Sequence, residues 1–181
     1  MRQTDTSVTG LTRSASPAAR CRRKFLRHFP GGFRDETYQS WERDYKWQAH
    51  LRWQSALAKD RYAELLERRK YEEIATAAIG IESRTNLLFS FEKMALRDAV
   101  RSREGARDFA RALFVFLHGE GDLEQRFEAW CDTVGELPRR QTRVLTWPVL
   151  TVVPFVAQPS VYMSMAHTST HLAPNISKPA V

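Results

Sequence analysis

Residues 72–100 constrain this chain more than any other stretch, because they run without a proline and repeat apolar residues at helical spacing. Ile74, Ala78, Ile81, Leu88, Ala95 and Ala99 fall on one side at about 100° per residue, which predicts one long helix. Leu87, Phe91 and Met94 form a second apolar patch, so the helix is expected to be central, with packed neighbours on more than one flank. Gly80 costs about 1 kcal/mol against alanine and marks a place for a kink or break. Glu92 projects into the main stripe, where an unpaired carboxylate is strongly disfavoured.

Helices are predicted on both sides of this stretch. Asp35 reads as an N-cap opening a helix to about Ala58, with Tyr38, Trp41, Tyr45, Ala49, Trp53 and Ala56 as its core stripe. A short helix follows over 60–67, then the basic turn Arg68-Arg69-Lys70. Another helix runs from Ala106 to about His118, stopped by Gly119, and Asp122 caps the next, Leu123 to about Leu137, ended by Pro138. The fold class is therefore all-α, a helical bundle around a long central helix over residues 25–138. Residues 1–24 are expected to be a disordered basic extension, since Gly10, Pro17 and scattered Ser and Thr show no periodicity. After Pro138 comes a basic link into Val144-Leu145-Thr146-Trp147, where Pro148 and Pro154 predict irregular packing or an edge strand over 139–159. Residues 160–181 are Ser/Thr/His-rich and expected to be a poorly ordered tail.

Charge separates the body from the ends. The net charge is +7, yet residues 1–34 alone carry eight Lys/Arg against one acid, and residues 139–181 carry four against none, so the body between is mildly acidic. Two cysteines are too few for a disulfide framework, which fits a reducing cytoplasm. No apolar run reaches the roughly 20 residues of a membrane helix, so no membrane partner is expected.

Two groups of residues carry candidate chemistry. Arg43, Lys46, Trp47 and His50 lie at i, i+3, i+4 and i+7, one helix face on which an indole is surrounded by cations, a composition that stacks on bases or binds acidic partners. The same pattern also describes a second packing face with its basic side chains reaching water. Arg139, Arg140 and Arg143, with Gln141 and Thr142, suit a phosphate, and equally a solvated turn. The competing class is an enzyme using Glu92 as a poised carboxylate beside Arg84 or Arg97; the alternative for Glu92 is a structural ion pair. Glu82, Asn86, Lys93 and Arg97 read as a solvated polar flank. No metal or cofactor is expected: His167 and His171 are four apart but lack a third ligand, and there is no phosphate loop, Gly-x-Ser-x-Gly or zinc-spaced cysteine pair.

Over Phe25–Phe33, Trp41–His50, Ile81–Val100 and Leu137–Pro148, the chain resembles a family of uncharacterised bacterial proteins, the resemblance covering about residues 25–159. It implies no activity. Members of that family continue with further ordered sequence where this chain passes, after Pro159, into its Ser/Thr/His-rich tail, so a truncated or frame-shifted fragment is a third reading. The leading expectation is a non-enzymatic binding module whose partner is nucleic acid or another protein.

Overall fold

The computed structural model describes residues 16–138 and 145–163, and these fall into two compact units that divide between Arg43 and Asp44. Among the described residues the chain is all-α, with no strand.

The N-terminal unit contains α1 (Pro17–His28), a 3-10 turn (Gly32–Arg34), the single turn α2 (Glu36–Tyr38) and a π turn (Gln39–Arg43). Residues 17–24, expected to be irregular, are thus helical. The reason is position: Pro17 sits in the first helical turn, where its missing N–H has no helical partner to lose, and Ser16 caps the end by accepting from Ala19 N–H at 3.2 Å. Gly32, at φ +64°, supplies the left-handed residue the chain needs to turn after Pro30. The rings of Phe25, Phe29, Phe33 and Tyr38 then gather at centroid distances of 4.9 to 5.4 Å. Asp35 is the predicted N-cap, accepting from Thr37 N–H at 3.0 Å, and Gly31 N–H donates to its other oxygen. The stripe counted through Tyr38 and Trp41 does not hold, because the π turn breaks 3.6-residue spacing; Trp41 is 66 % exposed.

The second unit contains α3 (Asp44–Leu57), α4 (Lys59–Glu67), α5 (Tyr71–Glu82), α6 (Ser90–Ala99), α7 (Arg103–His118), α8 (Leu123–Glu136) and α9 (Trp147–Ala157). Its core is built on α5 and α7, which pack on each other; α3, α4 and α9 pack on α5, and α4, α8 and α9 on α7. Trp53, Tyr62, Ile74, Phe109, Leu113, Trp130 and Leu150 are among its largest fully buried apolar side chains. Arg69, at φ 55°, closes α4 in a left-handed turn in which Arg69 N–H donates to Leu66 C=O and Lys70 N–H to Leu65 C=O.

The long central helix is corrected: residues 83–89 are not helical, and the stretch divides into α5 and α6. Local hydrogen bonding explains why. Ser83 Oγ donates to Gly80 C=O at 3.0 Å and Thr85 Oγ1 accepts from Leu87 N–H at 3.3 Å, the competition with the helical ladder that Ser and Thr offer. Gly80 itself stays inside α5. The second apolar patch is not packed as expected, since Phe91 is 48 % and Met94 61 % exposed.

The segment read as irregular or strand is also corrected, because residues 147–157 form α9. Thr146 caps it, and Pro148 lies in its first turn. Pro154 removes the N–H that Leu150 C=O would accept, and the indole N–H of buried Trp130 donates to that carbonyl at 3.0 Å. A neighbouring helix thus supplies the bond the proline withholds. Gly119 and Asp122 end α7 and open α8 as predicted, Asp122 accepting from Glu124 N–H at 2.9 Å.

Candidate nucleic-acid interface and buried carboxylates

The predicted aromatic-basic face divides. Arg43 belongs to the N-terminal unit, where its guanidinium donates to Gln39 Oε1 at 2.6 Å. Lys46, Trp47 and His50 belong to α3. His50 is engaged away from this face: its Nδ1 lies 2.9 Å from Val156 C=O, and Gln54 Nε2, one turn on, donates to Ala157 C=O at 3.3 Å. These two side chains satisfy carbonyls at the C-terminus of α9 that have no helical N–H to accept from. Since a carbonyl only accepts, Nδ1 carries the proton.

Trp47 remains at the surface, 48 % exposed, with its indole packed on the His50 ring at 5.1 Å. Lys46 lies beside it in sequence, its ammonium 5.2 Å from the Tyr45 ring centre. Arg139, Arg140 and Arg143 lie outside the described residues, as do His167 and His171. Among the described residues, no group of three or more His, Cys, Asp or Glu is placed to hold a metal ion. No described helix is long and apolar enough to cross a membrane.

Glu92 is fully buried, and its role is local. At the third position of α6, one carboxylate oxygen accepts from Phe89 N–H at 3.1 Å, half of a capping box, and the other accepts from Thr146 O–H at 2.7 Å. It therefore starts α6 and ties it to the start of α9. Arg84 and Arg97, named as its partners, are both exposed.

The flank read as solvated contains the more unusual group. Glu82 is 1 % exposed; its Oε1 accepts from Thr85 O–H at 3.4 Å and lies 3.8 Å from Lys93 Nζ, while its Oε2 accepts no hydrogen bond from the described residues. Lys93 also donates to Ser83 C=O at 3.3 Å and to Thr85 C=O, closing the end of α5 from α6. Burial raises the Glu82 pKa above its ordinary value; Lys93 and the Thr85 hydroxyl oppose the rise, Glu92 adds to it and Arg97 opposes it. Spacing carried a signal for Glu82 that went unused. On the α5 wheel it falls between Ala75 and Ala78, both buried, so a helix ending there turns it inward. Lys93 carried none, because its partners lie outside its own helix; Thr146 has the local pattern of an N-cap before Pro148, but its bond to Glu92 comes from another helix.

Compared with known proteins, the chain matches no family model, no curated protein and no solved structure.

Proposed function

We propose that the chain is a non-enzymatic binding module that takes nucleic acid on the Trp47 face of α3. The observation carrying this reading is the half-exposed indole packed on a His50 ring that is itself pinned to α9. A large ring held in place before binding loses little entropy when a base stacks on it, and every base offers a face to stack. Lys46, next along the helix, brings positive charge to the same region. The enzyme reading rested on Glu92 as a poised carboxylate, and a wholly buried side chain occupied with starting α6 does not support it.

The test is binding of the full chain to a labelled single strand across a salt series. Trp47→Ala is expected to weaken binding by about 1–3 kcal/mol, roughly five- to 150-fold, and Trp47→Phe to keep much of it. Equal affinity for wild type and Trp47→Ala, or no binding by the wild type, rejects the reading.

A further inference from the structure

We infer that α1 is a docking surface for the phosphodiester backbone of nucleic acid, made by Arg20, Arg23, Lys24 and Arg27. This rests on the reading above. These four residues stand at i, i+3, i+4 and i+7, within a 100° arc of the helix, and line one shallow recess on its surface. All four are exposed, α1 contains no acidic residue, and among the described residues no carboxylate pairs with any of the four. Four like charges this close repel one another, at a cost to their own helix. A polyanion does.

The dimensions suit one. Seven residues of helix rise about 10 Å, and about 10 Å of duplex axis carries about six phosphates, enough to meet all four cations. Three of the four are arginines, whose planar fork binds phosphate through two hydrogen bonds. A basic amphipathic helix also suits an anionic membrane surface, but here the apolar side is in use. Phe25 meets Phe33 at 4.9 Å and Tyr38 at 5.4 Å, and Phe29 meets Tyr38 at 5.3 Å, so the two partly buried rings of α1 and its C-cap, Phe25 and Phe29, are engaged within the unit instead of poised to enter lipid.

The experiment uses the full chain, a labelled duplex and a labelled single strand, each of about 20 nucleotides, in a salt series. The variant Arg20→Gln/Arg23→Gln/Lys24→Gln/Arg27→Gln exchanges exposed side chains for one of similar helix propensity, and circular dichroism checks its fold. A second variant, Arg20→Lys/Arg23→Lys/Arg27→Lys, keeps the charge. Neutralising four phosphate contacts is expected to reduce the slope of log K against log salt by about 3.6 for the duplex, and losing the roughly three phosphates that about 10 Å of one strand presents by about 2.1 for the single strand, while the lysine variant keeps the slope. Wild-type binding with an unchanged slope in the glutamine variant overturns this inference and leaves the Trp47 reading standing. No wild-type binding to either strand form overturns both. Loss of binding to phosphatidylserine vesicles but not to nucleic acid, in the glutamine variant, also overturns it and assigns α1 to a membrane surface.

Discussion

Replacing Lys93 by methionine tests whether the α5–α6 break is held by charge. The ammonium lies 3.8 Å from a carboxylate that is 1 % exposed. At an effective dielectric constant of about 20, that attraction is about 4 kcal/mol. Lys93 is 20 % exposed, which screens part of it, and its loss also frees the Ser83 and Thr85 carbonyls. Lys93→Met is therefore expected to cost about 3 kcal/mol near neutral pH, the scale on which removing one partner of a buried pair destabilises. The pH dependence follows from the other partner. Glu82 has its folded pKa raised above 4.5, so over the window just above 4.5 the native state holds the proton more tightly than the unfolded chain. Its contribution to stability is present in full below 4.5 and is lost as pH rises through the folded pKa. Without Lys93 the folded pKa rises further, so the penalty of the substitution shrinks on acidification, to about 1 kcal/mol for the two carbonyls near pH 4. Lys93→Met/Glu82→Gln is expected to recover about 2 kcal/mol near neutral pH. Urea unfolding followed by the fluorescence of buried Trp53 and Trp130 measures all three proteins at both pH values. Equal losses at the two pH values, with no recovery in the double variant, refute the argument.

Two helical glycines are expected to respond to alanine with opposite sign. At Gly80 an added Cβ meets nothing within 4 Å, so Gly80→Ala should stabilise by about 0.5–1 kcal/mol. At Gly105 the Cβ would collide with Ala99 C=O, so Gly105→Ala should destabilise by about 1–3 kcal/mol or more; denaturant midpoints read both. Burial pushes the Cys131 thiol up to about 11, the Asp132 and Glu128 charges adding to it, while Cys21 is exposed. A thiol reagent at mildly alkaline pH should therefore modify one cysteine in the native chain and two in denaturant, and equal rates for both in the native chain would contradict the burial of Cys131.

Most of the helical plan was legible in the sequence because its signals are local. Asp35, Gly119 and Asp122 act on backbone groups within three or four residues of themselves, and the stripes Ala49–Trp53 and Phe109–Leu113–Phe116 need only helical spacing to be read. The surface indole Trp47 was visible in the same way. What tertiary structure alone decided lies where a backbone group finds its partner in another helix. Lys93 reaches back from α6 to close the end of α5, adding to the local bonds of Ser83 and Thr85 within a stretch whose apolar periodicity runs on unbroken. Trp130 takes the carbonyl that Pro154 frees, and α9 stays helical through two prolines. His50, which spacing placed on a binding face, is drawn to the end of α9 because a buried helix terminus must have its carbonyls satisfied and α3 passes within reach. A linear pattern records which groups need partners; only packing determines which groups arrive.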